Sequence, residues 1–378
     1  MKRIIIAIAL FCTCFFPAAW GQKLTCPSSV NWTEFHTTEM ARYNPCETTL
    51  GVGNVANLTL SWSYTTGNAV FSSPAVVDGV VYVGSDDDNV YALDASTGAE
   101  LWSFPTGGLV QASVAVANGV VYAGSWDYTV YALNATTGQQ LWSFLTGYWI
   151  YGSLTVADGV VYVASDDSHV YALNASTGAV LWSYLTEQGQ YVGTSPAVVD
   201  GVVYVGGGDD IFYALDASTG TLLWSYQLPF WTYSSPAAAE GVLYFGVDNG
   251  YVYALGASDG AELWSSRTRN YVDSSPAVAY GMVYVGSHDD NVYALRAKTG
   301  KKVWSYTTGN QIYSSPAVAN GVVYIGSWDS NVYALDAKTG AMLWSYTTGG
   351  PVNASPVVAN GMVYVGSSDG NVYAFGLQ

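Results

Sequence analysis

From Leu58 onward the chain is built of short apolar runs separated by polar pairs and triplets. Val70–Val77 reads as one run, Val80–Gly84 as a second, Asn89–Asp94 as a third and Glu100–Phe104 as a fourth. Runs of this length, rich in Val and Tyr and bounded by Gly, Asp and Asn, predict β-strands. Asp78-Gly79 separates the first two. It recurs as Asn118-Gly119, Asp158-Gly159, Asp200-Gly201, Asn320-Gly321 and Asn360-Gly361. Such pairs predict tight hairpins, because both turn positions want positive φ. The four-run set then repeats. Its tryptophan falls at Trp62, Trp102, Trp142, Trp182, Trp224, Trp264, Trp304 and Trp344, with spacings of 40, 40, 40, 42, 40, 40 and 40. Four antiparallel strands repeated at a period near 40 predict propeller blades.

Blade number and closure follow from the phase of the repeat. A tyrosine-bearing second strand occurs eight times, at Tyr82, Tyr122, Tyr162, Tyr204, Tyr244, Tyr284, Tyr324 and Tyr364. The repeat begins with a tryptophan strand, Leu58–Tyr64, that has no blade before it. It finishes at Val372–Phe375 with no tryptophan strand after it. The prediction is an all-β fold: an eight-bladed β-propeller of four-stranded antiparallel blades spanning 58–378. The N-terminal tryptophan strand completes the last blade and removes both open edges.

Composition adds compartment and partner class. The chain has 378 residues and a formal charge of −17, two units more negative once a leader holding Lys2 and Arg3 is lost. An acidic surface repels phosphate backbones, which excludes nucleic acid as a partner. Residues 1–21 read as a secretory signal: two cations, an apolar run from Ile4 to Phe16, then Ala19-Trp20-Gly21 before a cut at Gln22. The run is short for a membrane span, and no span is expected in the mature chain. An exported protein, periplasmic or extracellular and monomeric, is therefore expected. Cys26 and Cys46 remain after that cut and should pair, closing a loop for ~3 kcal/mol. Residues 22–57, outside the repeat, are expected to form a strap across the propeller, held by its aromatics.

The segment Ala92-Leu93-Asp94-Ala95-Ser96-Thr97-Gly98-Ala99-Glu100-Leu101-Trp102 resembles the tryptophan-docking motif of the quinoprotein (PQQ-like) propellers. Its Ala and Gly return at Ala132/Gly138, Ala172/Gly178, Ala214/Gly220, Ala254/Gly260, Ala294/Gly300 and Ala334/Gly340. The eight tryptophans are expected to be structural, each wedged between blades and contributing about 2–3 kcal/mol by burial. The leader is similar to that of quinoprotein alcohol dehydrogenases at Trp32, at Arg42-Tyr43-Asn44-Pro45 and at Asn54-Val55 through Leu58. The resemblance implies one of two activities. One is quinone-dependent dehydrogenation with PQQ and calcium. The other is cofactor-free binding, as in the outer-membrane assembly lipoprotein.

The resemblance also implies that two loop sets meet at one mouth of the central channel: those entering each blade and those joining its second and third strands. Their candidate ligand-binding residues are Phe71, Trp126, Tyr128, Tyr148, Trp149, Tyr151, Tyr191, Phe230, Trp231, Tyr233, Arg267, Arg269, Tyr271, Tyr313 and Trp328. These aromatics suit a peptide, a carbohydrate or an envelope protein, or else they pack together and plug the channel. The second loop set also carries His169, His288 and the aspartates 86–88, 127, 166, 167, 209, 210, 248, 289, 290, 329 and 369. For those aspartates turn chemistry is the expected role, and no calcium-loop spacing is present. Arg267 and Arg269 are the two cations expected at the mouth. No catalytic constellation, metal site or cofactor is expected. The reading is an exported binding scaffold, with a PQQ-dependent dehydrogenase as the alternative.

Overall fold

The computed structural model describes Cys26 and residues 31–37, 40–187 and 191–378. The expected signal segment lies outside them. Eight blades of four antiparallel strands follow one another along the chain, and the seventh is extended by the short strap strand Tyr43–Asn44, which runs parallel to Ala317–Ala319. In the first blade, strands Ala75–Val77, Val80–Ser85, Asn89–Asp94 and Glu100–Pro105 run from the channel outward. In the last blade, Leu58–Thr65 pairs antiparallel with Asn371–Leu377, setting Trp62 opposite Ala374 and Tyr64 opposite Val372. The ring therefore closes through its N-terminal strand, as the phase of the repeat predicted.

The hairpins form where expected, with Asp78 at φ 50° and Gly79 at φ 81°. Glu240-Gly241 and Tyr280-Gly281 take the same turn, at φ 51° and 55° for the first residue. Glycine in second place sets this turn even when Asp or Asn is missing from the first.

Each docking tryptophan reaches into the next blade. Trp62 Nε1 donates to Ala95 O at 3.0 Å, and Trp102 Nε1 to Ala135 O at 2.9 Å. The motif glycine supports the indole: a Cβ on Gly98 would sit 2.6 Å from Trp62 Cε3, and Gly98 has φ +72°. At the closure Trp344 finds no such alanine and donates instead to Leu58 O at 2.9 Å.

The innermost strand is shorter than predicted, beginning at Ala75 rather than Val70. Its upstream half is diverted into a different bonding system. Pro74 has no N–H to give a ladder, and Ser73 N donates to Ser113 Oγ of the next blade at 3.0 Å. That link passes through Ser153, Ser195, Ser235, Ser275, Ser315 and Ser355 and returns to Ser73, every bond 2.8–3.0 Å. Eight serines thus form a closed hydrogen-bonded hoop around the channel.

The strap lies across the channel-facing edges of the blades. Trp32 exchanges two backbone bonds of 2.7 Å with Val76, and Thr33 O accepts from Val116 N. Glu34 Oε2 accepts from Val156 N. Met40, Ala41 and Arg42 carbonyls accept from Ala238, Val278 and Val318. Asn44 Nδ2 donates to Val358 O at 2.7 Å. Among the described residues the strap caps seven of the eight inner edges in this way, which would otherwise present unpaired groups. The strap is thus held by backbone bonding as well as by its aromatics, and Cys46 is joined to Cys26 by a disulfide.

Candidate functional site: an aromatic and acidic cup at the channel mouth

Two residues before each hoop serine stands a position that points into the channel. In blade order it is Phe71, Gln111, Tyr151, Gly193, Tyr233, Asp273, Tyr313 and Asn353. All eight line one cup of roughly 410 Å³, together with the hoop serines, Trp328 and Phe35. Phe35 rises from the strap to form the floor. Beneath it the Arg42 guanidinium lies 4.4 Å from the ring centroid. Arg42 is fully buried. Its N–H groups go to carbonyls: Pro316 O at 2.9 Å, Pro356 O at 3.1 Å, and Phe35 O. Burial pulls its pKa down to about 9. Burial, reinforced by Arg42, holds His36 down at about 3, and burial pushes Glu34 up to about 8.

A second ring lies in the loop just after each second strand. It comprises Asp86, Trp126, Asp166, Gly208, Asp248, His288, Trp328 and Ser368. Each donates its backbone N–H to the entering loop of its own blade, as Asp86 N does to Ala69 O at 2.9 Å and Trp328 N to Gln311 O at 2.9 Å. The frame is therefore eightfold, while the side chains on it differ from blade to blade.

The aspartates divide by position. Asp87, Asp127, Asp167, Asp289, Asp329 and Asp369 serve the turns, as expected. Asp87 Oδ1 accepts from Asn89 N, and its Oδ2 from Tyr91 Oη at 2.7 Å; the other five repeat the pattern. Asp86, Asp166 and Asp248 do not follow it. Each has a buried Oδ1 with no partner, as do Asp273 and Asn353. Burial raises Asp86, and burial with the charge of Asp167 lifts Asp166 to about 6. Asp248 is raised by burial and then by the neighbouring Asp273 carboxyl. The two carboxyls face one another from adjacent blades. Asp273 Oδ2 also lies 3.1 Å from His288 Nε2.

Of the aromatics expected at the mouth, Phe71, Tyr151, Tyr233, Tyr313 and Trp328 line the cup. Tyr313 stacks on Trp328 at 4.6 Å and meets His288 at 4.0 Å. Tyr191 stacks on Tyr233 at 6.1 Å. Trp126 stacks on Trp149 at 4.8 Å, Tyr128 on Tyr148 at 5.3 Å, and Trp149 touches Tyr148, so these four form a rim. Phe230 packs on Trp231, whose Nε1 holds Asp248 Oδ2 at 2.8 Å. Tyr271 stays half exposed, 6.0 Å from His288. Tyr151 is 46% exposed and Trp328 36% exposed around the cup.

Arg267 and Arg269 are not brought into the cup. Arg267 ends an outer strand, opposite Tyr251, and both residues are exposed. No lysine or arginine lines the cavity. Gln111, Asp273, Asn353 and Phe35 were not anticipated. Counting two residues back from every hoop serine would have found the first three. Phe35 lies outside the repeat and carries no such signal. Among the described residues no group of three or more His, Cys, Asp or Glu is placed to hold a metal ion.

Residues 52–149, 147–229, 230–314 and 307–377 match the family described as outer membrane protein assembly factor BamB. Among solved structures the chain is similar to BamB from Moraxella catarrhalis, with a TM-score of 0.73 and 20% identity over 84% of this chain and 99% of that one. It is similar to a europium-containing methanol dehydrogenase, at TM-score 0.77 and 17% identity over 92% and 98%. It is also similar to quinohemoprotein alcohol dehydrogenase from Comamonas testosteroni, at TM-score 0.79 and 19% identity over 91% and 80%. At these identities the likeness is one of fold. No curated protein matches the chain in sequence. With matched segments running almost unbroken from 52 to 377 and eight closed blades, the chain belongs to the PQQ-repeat propeller family described as outer membrane protein assembly factor BamB.

Proposed function

We propose that this protein is an exported, non-catalytic binding scaffold that presents the cup to a ligand or an envelope partner. One observation carries the reading. The frame repeats to within tenths of an ångström in its serine hoop, yet the position directly above the hoop changes in almost every blade. There the chain has placed exposed aromatic rings and buried oxygens without partners. Unpartnered buried acceptors cost about 1–3 kcal/mol each, and exposed rings reduce solubility. A bound partner offsets both costs. The membership in a family described as an assembly factor supports protein binding in the envelope, and among the described residues no helix is long and apolar enough to cross a membrane.

The quinone-dependent alternative meets a poor fit. PQQ is a tricarboxylate and needs cationic side chains around it. The cup's lining instead carries the carboxylate of Asp273, and among the described residues no lysine or arginine lines it. Arg42 beneath the floor is committed to carbonyls. No redox step is drawn through this site.

The test is a fourfold Tyr151→Ala, Tyr233→Ala, Tyr313→Ala, Trp328→Ala variant. It should keep the wild-type melting temperature, because the eight docking tryptophans are untouched, and lose partners the wild type retains from envelope extract. Retention of every wild-type partner by the folded variant would rule the cup out as the site.

A further inference from the structure

The cup is rich in acceptors and poor in donors. Two of its lining residues, Asp273 and Asn353, hold a buried oxygen without a partner. Asp86, Asp166 and Asp248 hold three more in the ring of loops after the second strands, where the unpartnered nitrogens are Trp126 Nε1 and His288 Nε2. Asp248 is only 6% exposed, with its other oxygen held by Trp231. Asp273 is its neighbour from the adjacent blade, with His288 Nε2 3.1 Å from Asp273 Oδ2 on the other side, and two neighbouring carboxylates repel unless a proton or a cation lies between them. Asp273 occupies the lining position of the sixth blade. The same position in the two flanking blades holds Tyr233 and Tyr313, so a carboxylate is set between two aromatic rings. Trp328 extends that aromatic wall by stacking on Tyr313, and Tyr151 faces Tyr233 at 6.3 Å.

Resting on the reading of the cup as a binding site, we propose that it is a cage for an organic cation. The occupant is an alkylammonium or guanidinium group, carried on a peptide side chain or a small amine. It donates N–H groups to Asp273 and to Asn353 Oδ1 and lays its charge and methylenes against Tyr233, Tyr313 and Trp328. Ring faces attract cations electrostatically, and such a group brings three to five donors to a site short of them. The fold already uses this pairing, where Arg42 lies against Phe35 and Trp32 beneath the floor and Lys302 against Tyr293. A neutral sugar would satisfy the rings but leave the facing carboxylates uncompensated.

Isothermal titration calorimetry on the mature protein tests the assignment. The probes are a blocked Gly-Lys-Gly peptide, its Gly-Arg-Gly counterpart and free agmatine. The neutral control is the same lysine peptide with its side chain acetylated. At least one cationic probe should bind, and affinity should fall as salt rises. Asp273→Asn should weaken that binding at least tenfold, and Tyr313→Leu should weaken it severalfold, both without loss of melting temperature. The acetylated peptide should not bind. Binding by peptides but not agmatine assigns the cation to a polypeptide, and the reverse assigns it to a small amine. Equal binding of the acetylated control, unchanged binding in folded Asp273→Asn, or silence from all three cations at millimolar concentration overturns the cage. If the cations are silent while the fourfold aromatic variant still loses its partners, the cup remains the site and only the ligand class is wrong. If that variant also keeps its partners, both readings fall.

Discussion

Arg42 is the side chain on which the strap and the floor of the cup both depend, and its replacement can be worked out from the structure. Arg42→Met keeps the aliphatic stem and removes the guanidinium. Three carbonyls, those of Pro316, Pro356 and Phe35, lose their donor. At about 1–3 kcal/mol per stranded buried acceptor the gross cost is ~3–9 kcal/mol. Against it stands relief of a buried charge that has no carboxylate partner among the described residues, the same burial that depresses its pKa to about 9. That relief is worth a few kcal/mol. The net expectation is a loss of about 3 kcal/mol. With an unfolding entropy near 2 cal/mol/K per residue, this corresponds to a melting temperature lowered by ~4 °C. Arg42→Lys should recover little, since one ammonium cannot span carbonyls from two blades and the strap. Thermal melts of the three proteins, with limited proteolysis of the strap, provide the assay. The variants should be cut between residues 31 and 47 while the blades stay intact. An Arg42→Met protein that melts at or above wild type, with its strap still protected, would show the guanidinium to be a net burden and refute the reasoning.

Other perturbations follow from the same geometry. Gly300→Ala forces a Cβ to 2.5 Å from Trp264 Cε3 at φ +65° and should cost about 2–4 kcal/mol in a denaturant titration. Gly281→Ala, at φ +69° with nothing within 4 Å, should cost only its backbone strain, about 1–2 kcal/mol. Glu34 is held protonated by burial up to about pH 8, whereas the unfolded chain ionises near 4.5. The folded state therefore binds the extra proton, and stability falls as pH rises between those values. His36, depressed to about 3, works the other way, but only below pH 6.5. From pH 6.5 to 8 the Glu34 contribution stands alone within the strap and should cost about 1.5–2 kcal/mol. Glu34→Gln should flatten that slope, as measured by unfolding at a series of pH values. Thiol titration of the denatured mature protein should find Cys26 and Cys46 unreactive until reduced.

The frame could be read from sequence because each blade solves the same local problem. Trp102, Gly98 and the Asp78-Gly79 turn each have one physical role, and repetition supplies the register. Closure was legible for the same reason, since Leu58–Thr65 is a tryptophan strand without a blade. The innermost strand was overextended because Val70–Val77 has the apolar pattern of a strand while its Ser73 amide is bonded sideways, into the hoop. Side chains with two uses were harder to assign. Asp86 and Asp87 are neighbours of one type, yet only Asp87 serves the turn. The distinction lies in direction, which a residue string does not show. Arg267 was placed at the mouth because the outer strand was taken to end sooner. Asp273 sits among serines in a stretch otherwise given to the frame. Phe35 reaches the cup from a segment with no repeat to set its register.

The central claim is that the cup is where this protein meets its occupant, and site-directed photocrosslinking in exporting cells tests it most directly. A photoreactive benzoylphenylalanine replaces Phe71, which lines the cup. In a second protein it replaces Leu145, which is 68% exposed on an outer strand. The account predicts a discrete adduct from position 71, identifiable by mass spectrometry and lost when Tyr233, Tyr313 and Trp328 are also changed to alanine, with no matching adduct from position 145. Adducts confined to position 145, or an adduct at 71 that survives loss of those rings, would contradict it.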